Sequence, residues 1–508
     1  MILDRRSFIK TGGAAAAGTM VLPPLLNSCQ NIQISQDVKS YLDHFEVTTQ
    51  MLQKVIAEAM SKGGDYADLF FEHTISNQLG LEDGKVNSAS SNVDYGVGVR
   101  VLKGDQNGFA YTETTSLQDM LKVARTAANI ANDPVTFKQG EFLEKPVPNY
   151  YKVSRKWENS TIAEKIPFVQ KLNDRLYELD EKVTRARVFQ RDESSYVMFY
   201  SSEGLLTCDF RPMATLGVVC VMEKDGVIEN DYSARSVRQG FEFMNDDVVE
   251  ELAQEAVRKT NFLFGAGKPR AGELPVVLGA GGSGILLHEA MGHPFEADFN
   301  RKGESIFSDK MGKSVAKEFI NIVEDGTMEY NRGALNVDDE GNEVKKVYLV
   351  KDGVLESYLH DRISSRYYGV DPTGNGRRQS FRHVPIPRMR ITYMENGPHT
   401  REEIISSVDY GIYVDNFTNG QVKIGAGDFT FFVKSGTLIE KGKLTMPIKD
   451  INIIGNGPQA LADITMAAGD YQTATGTWTC GKNGQSVPVG MGLPSVLVKK
   501  LTVGGTNA

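Results

Sequence analysis

Strand-like runs joined by tight turns constrain the fold of this 508-residue chain more than any other feature. The runs alternate apolar with polar residues or are rich in β-branched and aromatic residues, which is typical of strands with one face on a core. In the first half they cover residues 67–79, 96–102, 186–200 and 213–233. Pairs that favour two-residue hairpin turns lie at Asp83-Gly84, Asn107-Gly108 and Asp225-Gly226. The sequence therefore predicts antiparallel hairpins in this half.

Amphipathic segments between these strands predict helices. Helical periodicity covers residues 47–60 and ends at Gly63-Gly64, where glycine favours a stop. Ser116 with Asp119 has the pattern of a capping box, which predicts a helix from there to about Ala131. Two further helices are expected at residues 162–179 and 246–262. Residues 46–264 are therefore expected to form a mixed α/β domain.

A change in composition at residues 265–269 indicates a linker. After it come many short strand-like runs separated by Gly and Asp turns, with a short helix expected at residues 460–466. This pattern favours a β-rich architecture of the sandwich or barrel type over parallel βαβ units. The predicted fold class is α+β, with a β-rich domain at residues 270–508 that carries the site described below.

Composition and charge exclude several classes of protein. A hydrophobic content of 41% is too high for a disordered or fibrous chain. The formal net charge of −9 argues against nucleic acid as a principal partner, because phosphate binding requires an excess of Lys and Arg. Five arginines cluster at Arg377, Arg378, Arg382, Arg388 and Arg390. We expect most of them to form a solvated or salt-bridged face, with one or two clamping a carboxylate as the alternative.

The N-terminus has the pattern of an export signal. Arg5-Arg6 is followed by Phe8, Lys10 and a short, weakly apolar run, as in twin-arginine signals. The run is too short and too rich in Gly and Pro to span a membrane, and no later segment has the ~18 apolar residues needed. Cys29 ends a stretch that resembles a lipoprotein processing site. These features predict a signal at residues 1–29, a spacer at 30–45, and a periplasmic or lipid-anchored protein that faces outside the cytoplasm.

Two histidines bracket a glutamate after a predicted strand and a glycine-rich turn. The stretch reads His288-Glu289-Ala290-Met291-Gly292-His293. A zinc site needs neutral imidazoles on a rigid element, and a neighbouring carboxylate can take a proton from the attacking water. Because two of only seven histidines lie here, we interpret the stretch as part of a metal site. His44, His73, His360, His383 and His399 show no ligand spacing and are expected to be surface or hydrogen-bonded core residues.

The spacing of the two histidines requires an irregular helix. They lie five residues apart, which on a regular α-helix would rotate the second imidazole roughly 140° from the first. Gly292 permits an irregular turn, and Pro294 disfavours helical dihedral angles at His293. We therefore predict that helical geometry breaks between Ala290 and His293, by a π-bulge or by termination.

Two imidazoles leave a catalytic zinc site one ligand short. By residue type the best third ligand is Cys480, which lies in a glycine-flanked segment that we expect to be a turn. Glu296 and Asp298 are competing third ligands, or partners that orient a histidine. Besides Cys29 the only other cysteines are Cys208 and Cys220, which we expect to be buried in strands, so a disulfide framework is excluded.

At these residues the chain resembles the TldD/PmbA family of metallopeptidases, long described as modulators of DNA gyrase. The most specific pieces of the resemblance are His288-Glu289-Ala290-Met291-Gly292-His293, Asp298-Phe299-Asn300-Arg301, Thr373-Gly374-Asn375-Gly376-Arg377-Arg378, Cys480-Gly481-Lys482 and Pro488-Val489-Gly490. The resemblance implies zinc on His288, His293 and Cys480, with Glu289 as general base. It also implies an N-terminal α/β region, a β-rich C-terminal region with the site, and unfolded peptides bound as an added strand. A homodimer, or a heterodimer with a related subunit, is implied as well.

We therefore interpret the chain as a zinc-dependent metallopeptidase that hydrolyses unfolded peptides or proteins, with Glu289 activating the metal-bound water. Two alternatives remain. Cys480 could be the nucleophile of a thiol hydrolase, with a histidine as base. The chain could also be a non-catalytic scaffold subunit whose structural metal recruits Glu296 or Asp298 as a fourth ligand. The best-known members of the family lack a signal, so Arg5-Arg6 departs from its pattern.

Overall fold

The computed structural model describes residues 35–133, 137–138 and 140–504. The predicted export signal with Arg5-Arg6, and the predicted lipidation site at Cys29, lie outside the described residues. None of the helices in the described part of the chain is long and apolar enough to cross a membrane.

In the described part of the N-terminal half, one large sheet, antiparallel except for the β4–β6 pair, packs with five α-helices. Its elements are α1 Gln36–His44, α2 Thr49–Met60, β1 Tyr66–Glu82, β2 Lys85–Lys103, β3 Gln106–Thr112, α3 Leu117–Ala128, β4 Leu143–Glu144, α4 Ile162–Leu179, β5 Val183–Ser201, β6 Leu205–Lys224, β7 Val227–Val237 and α5 Asp246–Leu263. The strands follow the order β3-β2-β1-β5-β6-β4, and β7 pairs with β6. Asp83-Gly84 and Asp225-Gly226 form hairpin turns with positive φ at both residues, as predicted.

The two faces of this sheet have different partners. Leu69 and Phe71 of β1 pack with α1, α2 and α3 in one core, and α4 and α5 cover the far end of the sheet in another. Alternate residues of β1 point the other way, toward the C-terminal half. There Phe70 packs with Phe381, and the buried Arg100 pairs with Asp68 and with Glu340. The second half is therefore fixed on the face that the helices leave open.

The C-terminal half is rich in strands. Its elements are β8 Gly272–Leu278, α6 Gly284–Leu287, α7 Ala297–Arg301, β9 Ile322–Asp325, β10 Lys346–Lys351, β11 Val354–Leu355, α8 Arg362–Tyr368, β12 Gly376–Arg377, β13 Ile386–Pro387, β14 Ile391–Met394, α9 Arg401–Ser406, β15 Tyr410–Lys423, β16 Asp428–Glu440, β17 Lys443–Asn456, α10 Gly457–Ala462, β18 Ile464–Ala467, β19 Gln472–Thr473, β20 Thr479–Lys482, β21 Gln485–Pro488, β22 Gly490–Leu493 and β23 Val496–Val503. One six-stranded sheet has the order β11-β10-β9-β14-β22-β19, and another has β17-β16-β15-β8-β23-β18.

The helical segment that follows β8 lies between these two sheets. α6 and the turn after it contact β14 and β22 of the first sheet and β15 of the second. Leu286, Met291 and Phe295 are buried in one core with residues of both sheets. This position holds the predicted site in the interior of the C-terminal half.

The α+β fold class and the β-rich C-terminal half are confirmed. Three local predictions were wrong. Asn107-Gly108 lies inside β3, because Gly104, with φ of +57°, and Asp105 make the turn instead. The helix expected at 460–466 lies at Gly457–Ala462 and gives way to β18. The helix from Ser116 ends at Ala128. The predicted domain bounds stay a prediction.

Candidate metal centre

The helix that carries the two histidines widens where the break was predicted. His288–Gly292 is a π-helical turn, and the backbone N–H of His293 donates to the carbonyl of His288. A bond from residue i+5 to residue i places the two residues on one side of the segment. Their ring centroids are 5.2 Å apart and the rings are inclined by 80°. The predicted π-bulge is confirmed, but the expected loss of helical dihedral angles at His293 was wrong. His293 keeps φ of −60° and ψ of −44°, and the hydrogen-bond pattern alone changes.

Gly292 allows this turn to pack closely against the neighbouring strand region. A Cβ at residue 292 would lie 2.0 Å from the sulfur of Met389, whose side chain is buried. Any other residue would have to displace Met389. Pro294 follows at the start of a short 3₁₀ turn, His293–Phe295, which ends the π segment.

Cys480 reaches the histidines from a β-hairpin. It lies in β20, which pairs with β21 across a turn at Asn483-Gly484 with positive φ at both residues. The prediction of a glycine-flanked turn at Cys480 itself was wrong, because pairing with β21 makes this segment a strand. Cys480 Sγ lies 3.4 Å from His293 Nε2. One ligand atom each of His288, His293 and Cys480 lie within 4.8 Å of one another, and all three side chains are buried.

Glu296 orients His293 from the opposite side of the ring. Its Oε2 lies 2.9 Å from His293 Nδ1, so the N–H of this nitrogen donates to the carboxylate and Nε2 faces Cys480. Lys482 Nζ donates to Asp298 Oδ1 at 2.7 Å and lies 3.1 Å from Glu296 Oε2. Both acids that were alternatives for the third ligand therefore have other partners. Glu296 takes the orienting role that was the second possibility.

Each charged group of this cluster shifts the pKa of its neighbours toward their charged forms. Burial alone would raise the pKa of Cys480, but the attraction and hydrogen bonds of His288 and His293 outweigh it and hold this pKa well below its usual value. Burial alone would lower the pKa of His293, yet Glu296 and Cys480 raise it well above its usual value. Burial would also raise the pKa of Glu296, which Lys482 and His293 instead lower to about 2. The site is therefore built to hold Cys480 as a thiolate.

Buried arginines fasten the hairpin that carries Cys480. Arg388, which is fully buried, donates to the carbonyls of Cys480 and Gln485. Arg377 donates to the carbonyl of Pro488 at 2.9 Å. The prediction of a solvated face for the arginine cluster was therefore wrong. The prediction of salt bridges is confirmed for Arg378, Arg382 and Arg390, which pair with Asp68, with Asp94 and Glu113, and with Glu324.

Glu289 stands next to the first histidine but belongs to no ion pair. Its side chain is half-buried. Within the described residues no group hydrogen-bonds its carboxylate, so both oxygens are free to accept a proton. His288 Nδ1 is buried and also has no hydrogen-bond partner among the described residues. An orphaned imidazole nitrogen and an unpaired carboxylate on one turn are typical of a site that binds another group.

Two clefts open beside the cluster. The first, of about 550 Å³, lies between the two halves of the chain and is lined by Asp231 of β7, by Gly282 and by Trp478. The second, of about 480 Å³, lies against β1 and β5 and is lined by Thr477 and Thr479. His288, His293 and Cys480 line neither cleft, because they are buried. Each cleft is lined by residues of the segment 477–479, which leads directly into Cys480.

Cys208, Cys220, His44, His73, His383 and His399 have the structural roles that were expected. The expectation was wrong for His360, which is buried and whose Nδ1 has no hydrogen-bond partner among the described residues. Cys208 and Cys220 are buried in β6. His44 and His73 share a hydrogen bond of 2.8 Å, and His383 hydrogen-bonds Ser380. Besides the cluster of His288, His293 and Cys480, the described residues contain no other group of three or more His, Cys, Asp or Glu side chains that could hold a metal ion.

Models of one protein family match most of the chain. Residues 67–131 match the PmbA/TldA metallopeptidase domain 1, residues 155–261 the central domain, and residues 271–505 the C-terminal domain. The chain is 37% identical over 486 residues to a metalloprotease TldD homologue of Haemophilus influenzae, covering 93% of this chain and 100% of the relative. It is 31% identical over 454 residues to a zinc metalloprotease TldD homologue of Saccharolobus solfataricus, covering 89% and 99%.

Solved structures share the fold. TldE from Thermococcus kodakarensis has a TM-score of 0.69 at 20% identity, with 90% of this chain and 100% of that chain covered. A Thermotoga maritima protein named as a candidate modulator of DNA gyrase has a TM-score of 0.73 at 21% identity, covering 89% and 99%. At these identities the likeness establishes the architecture alone.

The relatives overturn the prediction of export. TldD homologues are generally cytoplasmic proteins, and the one from Haemophilus influenzae aligns over its whole length. The predicted twin-arginine signal, lipidation of Cys29 and periplasmic location are therefore wrong. Paired arginines before a short, weakly apolar run are a local pattern, and such a pattern arises without an export role.

Proposed function

Because the chain belongs to the PmbA/TldD family of metallopeptidases, we propose that it is a zinc-dependent peptidase that cleaves unfolded peptides. In this proposal His288, His293 and Cys480 hold the zinc, and Glu289 is the general base. The observation that carries it is the convergence of two imidazole nitrogens and one cysteine sulfur, all on buried side chains, within 4.8 Å of one another.

The chemistry of the donor set fits zinc. Zinc prefers nitrogen and sulfur ligands in a tetrahedral arrangement, for which bond lengths of ~2.3 Å to sulfur and ~2.0 Å to nitrogen place the two ligand atoms about 3.5 Å apart. Cys480 Sγ and His293 Nε2 are 3.4 Å apart. Three protein ligands leave the fourth position for water or substrate, as in catalytic sites. When bound, zinc would supply a Lewis acid that polarises the scissile carbonyl and lowers the pKa of water.

Three side chains around the donors have further roles in this proposal. Glu289, half-buried and without a partner in the described part of the chain, would accept the proton of the attacking water at its carboxylate and pass it to the leaving amine. Glu296 would keep His293 oriented by accepting the Nδ1–H at 2.9 Å. Arg388 would hold the Cys480 carbonyl and therefore the strand that presents the thiolate.

Burial of the site favours an extended substrate. A folded protein could not reach side chains that are 1%, 5% and 2% exposed at His288, His293 and Cys480, whereas a single strand can enter a cleft. β19 ends one six-stranded sheet, and its residues Gln472 and Thr473 line the first cleft. Pairing with such an edge uses the peptide main chain and tolerates varied side chains. Assembly as a homodimer, or as a heterodimer with a TldE-like subunit, is part of the proposal and is tested by the mass of the purified particle.

A thiol hydrolase is the second candidate, because Cys480 and His293 are also in contact as a thiol and its base would be. Removing the metal separates the two chemistries. We expect 1,10-phenanthroline to abolish hydrolysis of a quenched fluorescent unfolded peptide, and stoichiometric zinc to restore it after the chelator is removed. A non-chelating isomer, 1,7-phenanthroline, is the matched control. Full activity in protein that contains less than about one tenth of a zinc per chain would contradict the zinc proposal and favour the thiol hydrolase.

The scaffold alternative requires a fourth protein ligand. Glu296 Oε2 is engaged by His293 and Lys482, and Asp298 Oδ1 by Lys482, and neither carboxylate belongs to the group of converging donor atoms. This arrangement supports a catalytic rather than a structural metal.

A further inference from the structure

Lys482 is a buried cation beside the candidate zinc ligands. Its side chain is 3% exposed. Nζ donates to Asp298 Oδ1 at 2.7 Å and to the Pro387 carbonyl at 3.0 Å, and it lies 3.1 Å from Glu296 Oε2. Two of these contacts are hydrogen bonds, to Asp298 and to Pro387, and the third, to Glu296, is an ion pair. A lysine is rarely buried this completely unless its charge is paired, so the contacts fix where Nζ lies.

The same strand supplies both the thiol and this ammonium. Cys480 and Lys482 are two residues apart in β20, so their side chains point to the same face, while Thr479 and Gly481 are exposed. The hairpin therefore contacts one nitrogen of His293 directly, through Cys480, and reaches the other nitrogen through Glu296. Cys480 Sγ lies 3.4 Å from Nε2, and Lys482 contacts the same Glu296 oxygen that lies 2.9 Å from Nδ1.

We propose that Lys482 is a positioning residue that acts on the metal site through Glu296. Its ion pair holds the Glu296 carboxylate in place to accept the Nδ1–H of His293, which presents Nε2 to zinc beside Cys480. The same hairpin thus carries one ligand, Cys480, and orients a second ligand, His293. This inference rests on the proposed function, since it presumes that the cluster holds zinc.

A structural role makes a different prediction. Lys482 also contacts Asp298 and Pro387, and these contacts could simply fasten β20 to α7 and β13. In that case loss of Lys482 and loss of the Glu296 charge would be independent defects. If Lys482 acts through Glu296, replacing Lys482 should have no further effect on zinc affinity once Glu296 has been replaced. A double-mutant cycle separates these cases.

The experiment measures zinc affinity by competition with a chromophoric chelator in Lys482→Met, Glu296→Gln and the double variant. We expect each single change to weaken affinity 10–100-fold, the usual effect of losing an outer-shell partner. The double variant should bind zinc within about threefold of Glu296→Gln alone. The matched control is Lys500→Met, which removes the same charge from an exposed pair with Glu273 and should bind zinc as the wild type does.

Cobalt gives a readout that needs no activity. In Co²⁺-loaded protein, the thiolate charge-transfer band of Cys480 should persist in Lys482→Met, while the visible d–d bands shift because the His293 ligand has changed orientation. Losses that multiply in the double variant, or unchanged zinc affinity and bands in Lys482→Met, would overturn the inference. If the wild type itself binds no zinc, the proposed function fails instead. Should Lys482→Met not fold, Lys482→Gln, which also removes the charge, replaces it in the same cycle with the same two outcomes.

Discussion

Replacing Glu289 by Gln isolates the proton transfer from the rest of the site. The change keeps the shape of the side chain and removes its ability to accept a proton. Glu289 is half-buried, lies outside the three converging donors, and has no hydrogen-bond partner in the described part of the chain, so the substitution breaks no contact there. We therefore expect zinc content and thermal stability to remain those of the wild type.

The expected loss is confined to the chemical step. General-base catalysis typically contributes 10²–10⁴-fold, which corresponds to about 3–5 kcal/mol of transition-state stabilisation. Because a base acts in the transition state rather than in substrate binding, kcat should fall by that factor with KM little changed. Initial rates on a quenched fluorescent unfolded peptide, with zinc per chain measured in the same samples, provide the assay. Glu273→Gln, at an exposed glutamate of the same half, is the control.

Two results would refute this reasoning. If Glu289→Gln with a full complement of zinc keeps kcat within about threefold of the wild type, Glu289 is not the base. If activity and zinc are lost together, the carboxylate holds the metal rather than the proton.

Three further predictions follow from individual contacts. His288→Ala should lose both zinc and hydrolysis, measured by metal analysis and peptide cleavage; retained zinc would remove His288 from the ligand set. Arg388→Met leaves two buried carbonyls, those of Cys480 and Gln485, without their donor. We therefore expect it to lower the free energy of unfolding by roughly 2–4 kcal/mol in denaturant titration and to weaken zinc binding. Unchanged values would show that other contacts hold the hairpin. Burial raises the pKa of Glu72 from 4.5 to about 7, so its contribution to stability is full below pH 4.5 and is lost as the pH rises through 7. Unfolding of the wild type should therefore lose about 3 kcal/mol relative to Glu72→Gln between pH 4.5 and 8, and parallel pH profiles would contradict this.

The sequence predicted best those elements whose signals are local. α4 has the bounds expected from its periodicity because Thr161 and Glu164 form a capping box at its start. α5 begins as expected because the Asn245 side chain caps it. Asp83-Gly84 turns the first hairpin because both residues adopt positive φ there. In each case a few adjacent residues decide the structure.

Predictions failed where the structure depends on residues that are distant in the sequence. Asn107-Gly108 has the composition of a turn, but its pairing with β2 places it in a strand. The arginines near residue 380 looked like a surface cluster, yet Arg378 pairs with Asp68, 310 residues away. Burial of such charges depends on the packing of one half of the chain on the other, and no local pattern records it.

The candidate site shows the same division. The widened turn could be predicted because a spacing of five residues does not place two imidazoles on one face of a regular helix. Cys480 could be nominated by residue type, but its contact with His293 spans 187 residues. The contact of Lys482 with Asp298 spans 184 residues. The family resemblance includes Lys482, but nothing in the sequence placed it beside Asp298 and Glu296. Positioning residues of this kind become visible only in the fold.

X-ray absorption at the zinc edge tests the central claim most directly, because it reports the atoms bonded to the cation. We predict one zinc per chain with a single sulfur at ~2.3 Å and two imidazole nitrogens at ~2.0 Å, and loss of the sulfur in Cys480→Ser. A spectrum of the wild type that shows only nitrogen and oxygen ligands, or one that Cys480→Ser leaves unchanged, would contradict the account.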